Sequence, residues 1–104
     1  MIDVDELQQR LREFADARDW EKYHSPKNLV MAMSVEMAEL MEHFQWMTEQ
    51  QSLDLDTKTR EKVALEMADV LIYLVRMADR CGIELDHAVE KKLLLNGQKY
   101  PVVK

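Results

Sequence analysis

Two stretches of the sequence, SVEMAELMEHFQW and ALEMADVLIYLV, place acidic residues three positions apart among apolar residues. The first stretch carries Glu36 and Glu39, and the second carries Glu66 and Asp69. Residues three apart lie on the same face of an α-helix, so each stretch presents two carboxylates side by side. Carboxylates without nitrogen or sulfur ligands suit a hard cation, so the pattern predicts a site for Mg²⁺, with Mn²⁺ as a substitute.

A second explanation of these acids is that they are surface carboxylates with basic partners. Two carboxylates about 5 Å apart repel by about 3 kcal/mol at an effective dielectric constant of about 20. Protons, basic side chains or metal ions must therefore neutralise such a cluster if it is buried. Lys62 precedes Glu66 by four residues, and Arg76 and Arg80 follow on the same side of the helix. From spacing alone, a metal site and an ion-paired surface are both open.

The acids need helices to position them, and the composition favours helices throughout the chain. The 104 residues are 47% hydrophobic and 33% charged, with two glycines and two prolines. Strong helix formers outnumber valine, isoleucine and threonine, which are typical of strands. This composition predicts an all-α protein with a single domain over residues 1–104. Together with the helix limits given next, it predicts a four-helix bundle.

Capping residues and breaks in the apolar periodicity divide the chain into four predicted helices. Ser25 followed by Pro26 marks the start of the second helix, and Gly82 suits the left-handed end of the third. The segment TEQQSLDLD is the one long linker. The predicted helices run from a cap at Asp3 to about Ala17, from Pro26 to about Met47, from a cap at Asp54 or Asp56 to Cys81, and from about Glu84–Asp86 to Asn96 and Gly97.

Charge and hydropathy exclude two classes of partner. The net charge of −6 and an isoelectric point near 5.0 argue against nonspecific nucleic-acid binding, which needs a basic surface. No apolar run is long enough to span a bilayer and no signal peptide opens the chain, so the expected compartment is the cytoplasm. The single cysteine, Cys81, lies in an apolar stripe and is expected to be a buried thiol.

The third predicted helix is apolar on nearly every side except the one that carries its acids. A helix of this kind is buried on several sides, inside a bundle or at an interface between subunits. Leu65, Ile72 and Val75 lie away from its main stripe and predict that two copies of the chain pair into a dimer. The main stripe comprises Val63, Met67, Val70, Leu71, Leu74, Met77, Ala78 and Cys81.

Four ordered motifs extend this picture over nearly the whole chain, from about residue 11 to residue 101. They are RDWEKYHSPKNL, SVEMAELMEHFQW, EMADVLIYL and the ending K-x-x-x-N-x-x-K-Y-P. With these motifs the chain resembles the MazG-like, all-α nucleoside triphosphate pyrophosphohydrolases, and most closely their dCTP pyrophosphatase branch. The order and spacing of the four motifs make this resemblance more specific than the acidic pairs alone.

The resemblance implies an activity, a cofactor and an assembly. Such enzymes cleave the α–β phosphoanhydride of a (deoxy)nucleoside triphosphate to the monophosphate and pyrophosphate, which can clear unwanted nucleotides from the cell. By similarity, Glu36, Glu39, Glu66 and Asp69 would be the Mg²⁺ ligands at the catalytic site. The resemblance also implies a homotetramer built from dimers, with sites shared between subunits.

The same resemblance assigns further residues to the substrate. Trp20, His24 and Trp46 would line the pocket for base and sugar, whereas a group near the C-terminus would meet the phosphates or close the site. A tryptophan beside a helix end can also be a core anchor, and a histidine beside Ser-Pro can simply bond to the loop backbone. The residues assigned to the phosphates or to closure are Tyr73, Lys92, Asn96, Lys99 and Tyr100.

Two positions depart from the family pattern. Leu11 stands where the vertebrate dCTP pyrophosphatases carry a base-contacting histidine, and Leu95 stands where many bacterial relatives carry lysine. Neither position belongs to the acidic motif, so both bear on the preference for a base rather than on metal binding.

Two other functions fit parts of the same sequence. A di-iron carboxylate bundle needs Glu-x-x-His pairs, and Glu21 with His24 and Glu84 with His87 have that spacing. These pairs, however, lie in an irregular segment and at a helix start rather than in the middle of helices. An acidic helical interaction module without catalysis would instead show an apolar stripe and no converging polar cluster.

Overall fold

Helices account for all the regular secondary structure between residues 2 and 103, the part of the chain that this computed structural model describes. No β-strand occurs in that range, which confirms the predicted all-α class. The elements are α1 (Val4–Ala17), a 3₁₀ turn (Glu21–Tyr23), α2 (Pro26–Glu42), α3 (Glu49–Ser52), α4 (Thr57–Cys81) and α5 (Leu85–Lys99).

The helix ends follow from local capping chemistry. Asp3, Ser25 and Asp56 each accept the backbone N–H three residues further on, at 3.1, 3.2 and 2.7 Å. The cap of α4 is thus Asp56 rather than Asp54. At the other end of α4, Gly82 adopts φ 68°, a left-handed conformation. Glycine adopts it at little energetic cost because it has no Cβ.

The predicted end of the second helix and the predicted linker were both wrong. α2 ends at Glu42 instead of continuing to Met47, because the chain tightens into turns in which Phe44 N–H bonds to the carbonyl three residues back. Within the predicted linker, Thr48 and Gln51 cap one another's backbone N–H groups reciprocally. This capping box starts the short helix α3, so five helices replace the four expected.

The last helix is longer than predicted. α5 continues through Gly97 to Lys99 and stops at Tyr100. The residue before a proline is disfavoured in the helical conformation, so Pro101 explains why the helix ends there. No side chain of α5 between Leu85 and Lys99 is buried, so α5 contributes nothing to the core of the single chain.

α4 is the centre of the packing, with α2 along one side and α1 along another. The buried apolar side chains are Ala15, Leu29, Val63, Val75 and Ala78. In this small core the leucine and the two valines each contribute on the order of 1.5–3 kcal/mol, and the alanines less. Three helices therefore form the core, not the expected four-helix bundle.

Several α4 residues face a different way from the one predicted. Val75 was assigned to the outer side but is fully buried, with 0% exposure. Met67 and Leu74, from the predicted main stripe, are exposed, and so is the thiol of Cys81. A helical wheel gives the angles between residues, whereas the positions of α1 and α2 decide which side of α4 faces the inside of the chain.

Across residues 2–103, no helix has both the length and the apolarity needed to cross a membrane.

Candidate active site

Three of the four predicted ligands converge where α2 packs against α4. Glu36 and Glu39 project from α2 and Glu66 projects from α4, and one carboxylate oxygen from each lies within 4.8 Å of the others. We call these three residues the acid cluster. Asp69, one turn further along α4, is exposed and lies outside this group.

Among residues 2–103, no basic side chain forms an ion pair with the acid cluster. Glu36 Oε2 and Glu66 Oε2 are both buried, and neither has a hydrogen-bond partner among the residues that the structure describes. Two of the three basic side chains that could have paired with the acids bond elsewhere: Arg76 pairs with Asp79, and Arg80 pairs with another acid. Within residues 2–103, no ion pair reaches the acid cluster, so the ion-paired surface explanation has no support.

Desolvation, together with the neighbouring carboxylates, raises the pKa of one member of the acid cluster. The pKa of Glu36 is raised to about 7, first because its carboxyl group is desolvated and then because Glu39, Asp69 and Glu66 lie nearby. A raised pKa means that the ionised form is unfavourable in the protein without a counter-charge. A positive charge placed among these oxygens would reverse that penalty.

The donor set of the acid cluster fits a hard divalent cation. All the converging atoms are carboxylate oxygens, and two oxygens of the same residues are buried without partners. Mg²⁺ and Mn²⁺ prefer oxygen ligands of this kind, and Mg²⁺ usually takes few carboxylates from the protein. Glu36, Glu39 and Glu66 would therefore hold such an ion, with Asp69 close enough to add its charge.

A cavity of about 300 Å³ lies further along the same side of α4. Tyr73 lines it and follows Glu66 by seven residues, which corresponds to about 10 Å along the helix axis. The cavity and the acid cluster are thus neighbouring parts of one surface. The apolar part of the cavity wall is formed by Leu11, Phe14, Ala15, Leu29 and Ile72.

Trp20 closes one side of this cavity. The backbone turns sharply before it, because Asp19 adopts φ 54°, in the left-handed region that aspartate tolerates better than most residues. Trp20 N–H then bonds to the carbonyl of Ala15 at 2.9 Å. Its ring meets Phe14 edge to face, with 5.6 Å between the centroids. The tight turn therefore presents an aromatic surface to the cavity.

The polar end of the cavity is built around Arg76, which the sequence analysis did not assign to the site. Arg76 is only 4% exposed, yet it lines the cavity. Its Nε donates to His24 Nδ1 at 3.2 Å, and its Nη1 donates to Asp79 at 3.3 Å. The one signal in the sequence was its position on the same side of the helix as Glu66.

His24 lines the cavity and accepts a hydrogen bond from Arg76 there. Desolvation and then the positive charges of Arg76 and Arg80 lower the pKa of its imidazole. The neutral ring can therefore accept the Arg76 hydrogen bond at Nδ1, while the His24 backbone carbonyl accepts from Arg80 Nε at 3.0 Å. The loop histidine is thus bonded through both its side chain and its backbone.

Neither candidate di-iron pair reaches the acid cluster. Glu21 accepts from Arg80 Nη1 at 2.7 Å, far from the middle of any helix. Glu84 and His87 pair with one another at the exposed start of α5. The structure therefore brings together the acids of α2 and α4 without a histidine ligand.

Five predicted substrate residues neither line the cavity of this chain nor belong to the acid cluster. Trp46 is 88% exposed just beyond α2, so it is neither a core anchor nor part of the cavity wall of this chain. On α5 and just after it, the side chains project into solvent or, for one of them, are half-buried. These residues of the C-terminal group are Lys92, Asn96, Lys99 and Tyr100.

The sequence of this chain is similar to that of a known family and to those of individual relatives. A sequence model of the MazG-like family matches residues 31–104. Human dCTP pyrophosphatase 1 (Homo sapiens) is 42% identical over 100 residues, which cover 94% of this chain and 59% of that protein. The Rattus norvegicus dCTP pyrophosphatase 1 is 42% identical over 101 residues, covering 95% and 59%. The chain thus spans about three fifths of the length of these curated relatives.

A solved structure agrees with the sequence matches over the full fold. The crystal structure of a pyrophosphatase from Archaeoglobus fulgidus is 43% identical and superposes with a TM-score of 0.88. The match covers 94% of this chain and 92% of that one. At this similarity the helices and their packing correspond along nearly the whole length of both chains.

Proposed function

The chain belongs to the MazG-like family, and from that premise we propose that it hydrolyses (deoxy)nucleoside triphosphates to monophosphate and pyrophosphate. The observation that carries this proposal is the acid cluster, with two buried oxygens that lack partners, beside a cavity with an aromatic wall. The names of the relatives, dCTP pyrophosphatase 1 and a pyrophosphatase, support dCTP and related pyrimidine nucleotides as substrates. Removal of unwanted nucleotides is the role that such an activity would serve.

We further propose that the cofactor is Mg²⁺, with Mn²⁺ as a substitute. Glu36, Glu39 and Glu66 would hold the ion, and Asp69 would join them from the next turn of α4. When bound, the ion would supply positive charge to the phosphate oxygens and stabilise the charge that develops on them.

Side chains of the protein would bind the base and accept the proton from the attacking water. Trp20 and Tyr73 hold the base against the apolar wall and exclude water from it. Water adds to a phosphorus of the α–β anhydride, the bridging P–O bond breaks, and pyrophosphate and the monophosphate separate. A carboxylate of the acid cluster takes the proton that the attacking water loses. The mechanism therefore needs the acid cluster and the cavity to be occupied by one substrate molecule.

We also propose that the chain assembles at least into a dimer, and from dimers into a tetramer. Large apolar side chains are exposed on α2 and α4, far more than solitary surface residues would explain. In a dimer the C-terminal group of one subunit, with Lys92 and Lys99, would supply positive charge to the phosphates in the site of the other. The exposed apolar residues on these two helices include Val30, Met31, Val35, Met37, Met41, Leu65, Met67 and Leu74.

The test of the proposed function is a panel of (deoxy)nucleoside triphosphates with Mg²⁺, in which both pyrophosphate and free phosphate are measured. We expect equal amounts of monophosphate and pyrophosphate, with dCTP among the best substrates. Release of free phosphate and a diphosphate would contradict cleavage at the α–β bond. Absence of both turnover and Mg²⁺ binding would favour the non-catalytic interaction module.

A further inference from the structure

We propose that Arg76 selects the nucleobase in this cavity, favouring a base that presents a ring nitrogen and a carbonyl oxygen as adjacent hydrogen-bond acceptors. The inference rests on the proposed function, since it assumes that a nucleotide occupies the site. It goes further by naming the residue that discriminates between bases and the chemical pattern to which that residue responds.

The first argument is that the guanidinium of Arg76 is held in one orientation. Its Nε bonds to His24 and its Nη1 bonds to Asp79, which in turn accepts two hydrogen bonds from Arg12 at 2.7 and 3.2 Å. Arg76 is therefore anchored to a loop on one side and, through Asp79, to α1 on the other. A donor fixed in this way loses little conformational entropy when a ligand binds.

The second argument is that some N–H groups of the guanidinium form no hydrogen bond with the described residues. An arginine side chain carries five N–H hydrogens. Two of its three nitrogens bond to His24 and Asp79, whereas Nη2 has no acceptor between Ile2 and Val103. Nη2 is not fully buried, so a molecule outside the core can reach it. Because Arg76 also lines the cavity, a ligand in the cavity can supply an acceptor to Nη2.

The third argument concerns position along α4. Arg76 follows Glu66 by ten residues, or about 15 Å along the helix axis. The acid cluster therefore lies at one end of the surface and Arg76 at the other, with Tyr73 between them. If the phosphates are at the acid cluster, the group that reaches Arg76 is the base.

The chemistry of the pyrimidines decides which base is favoured. Cytosine presents N3 and O2 as adjacent acceptors, which a guanidinium can bond at the same time. Thymine has nearly the same size, but its N3 carries a hydrogen. An N–H group of Arg76 would then face the N3–H group of thymine, and no hydrogen bond could form between them. The rest of the cavity wall is mostly apolar and offers little compensation, so the mismatch should be costly.

The experiment compares dCTP with dTTP, two substrates of similar size, in the parent and in variants of Arg76. The readout is the ratio of kcat/KM for dCTP to kcat/KM for dTTP. We expect the parent to prefer dCTP and Arg76→Met to lower the ratio by about 10-fold to 100-fold, mainly through dCTP. Arg76→Lys, which keeps the charge but loses the planar fork, should give an intermediate ratio.

Arg80→Met is the matched control. Arg80 lies one turn further along α4 and also bonds to His24, but it does not line the cavity. Its loss should change the ratio by less than about twofold, even if the melting temperature falls. Melting curves of all variants establish that they fold, and if Arg76→Met does not fold, the ratio measured for Arg76→Lys decides.

The outcomes separate this inference from the function on which it rests. A parallel fall in the rates with dCTP and dTTP, or an unchanged ratio, would mean that Arg76 acts only in the structure. A parent that shows no preference for dCTP would also overturn the inference while leaving the hydrolytic function intact. A parent that hydrolyses none of the nucleotides would overturn both.

Discussion

Arg12 on α1 holds Asp79 on α4 through two parallel hydrogen bonds, 2.7 Å from Nη2 to Oδ1 and 3.2 Å from Nε to Oδ2. This pair joins the helix that carries Leu11 and Phe14 to the helix that carries Arg76. The two walls of the cavity are thus tied together by a charged pair that is partly shielded from solvent.

The Arg12–Asp79 pair predicts a particular dependence of stability on pH. The hydrogen bonds and charge of Arg12 lower the pKa of Asp79 in the folded protein. Its contribution is therefore fully present above the unfolded pKa, about 3.9, and is lost as the pH falls through the lower folded pKa. Asp79→Asn should lower the melting temperature by about 5 °C at pH 7 and by less below about pH 4.

Asp54→Asn is the control for this measurement, since Asp54 is exposed in the segment between α3 and α4. Its melting temperature should match that of the parent across the same pH range. If Asp79→Asn lowered the melting temperature equally at pH 7 and pH 3, the charge of Asp79 would not be the source of its contribution to stability.

The acid cluster predicts loss of turnover when any one ligand is made neutral. Glu36→Gln, Glu39→Gln, Glu66→Gln and Asp69→Asn should each reduce kcat/KM by at least about 100-fold, because charge stabilisation at the phosphates depends on a correctly held ion. The exposed acids Glu42 and Glu61, changed to glutamine, are matched controls on the same two helices. If any two of the four variants keep nearly normal rates, the assignment of the metal site is wrong.

The raised pKa of Glu36 predicts the opposite pH trend for the metal-free protein. Its pKa is about 7 in the folded state and 4.5 in the reference state, so the folded protein binds more protons between these values. Stability should fall as the pH rises from about 4.5 to about 7. In melting curves recorded with a chelator, Glu36→Gln should flatten this trend and melt at a higher temperature than the parent at pH 8.

Added Mg²⁺ should act on the same melting curves, because a ligand that binds only the folded state raises its stability. We expect the melting temperature of the parent to rise with Mg²⁺ at pH 8 and that of Glu36→Gln to rise much less. Equal shifts in both proteins would place the ion elsewhere.

The aromatic wall of the cavity predicts an optical signal. Trp20 lines the cavity, so a non-hydrolysable dCTP analogue with Mg²⁺ should change tryptophan fluorescence. Trp46→Phe removes the second, exposed tryptophan and assigns the change to Trp20. Trp20→Ala should weaken discrimination among bases by about tenfold, the scale of a lost stacking contact. An unchanged preference in that variant would show that Trp20 has only a structural role.

The exposed apolar side of α4 predicts an assembly that a single charge can disrupt. Leu65 is 70% exposed, so Leu65→Glu should leave the chain folded but separate the subunits and reduce activity. Val75→Glu would instead unfold the chain, because Val75 is buried in its core. Val102→Glu, in the exposed C-terminal tail, is the control. Light scattering at micromolar concentration should show a parent larger than 12.3 kDa, and a fully active monomer would contradict the prediction.

Local chemistry explains which features could be predicted from the sequence. Caps at Asp3 and Ser25, and the glycine that ends α4, act within a few residues, so the helix limits set by them were correct. The three-residue spacing of Glu36 and Glu39 likewise follows from the helix itself. The capping box at Thr48 and Gln51 was equally local and was available as a signal for α3.

Packing between helices decided which acids come together and which side of α4 is buried, and neither could be predicted from local sequence. The angle and register between α2 and α4 bring Glu66 within reach of Glu36 and Glu39 but leave Asp69 outside. The same packing turns Val75 inward.

The composition and motifs of the sequence determined by themselves that the protein is helical, that it carries paired acids, and which family it resembles. Only the tertiary structure decided that Arg76 forms the polar end of the cavity, because its bonds to His24 and Asp79 join elements far apart in the chain. The physical reason is that hydrogen bonds within a helix turn are set by nearby residues, whereas contacts between helices depend on the summed packing of the whole chain.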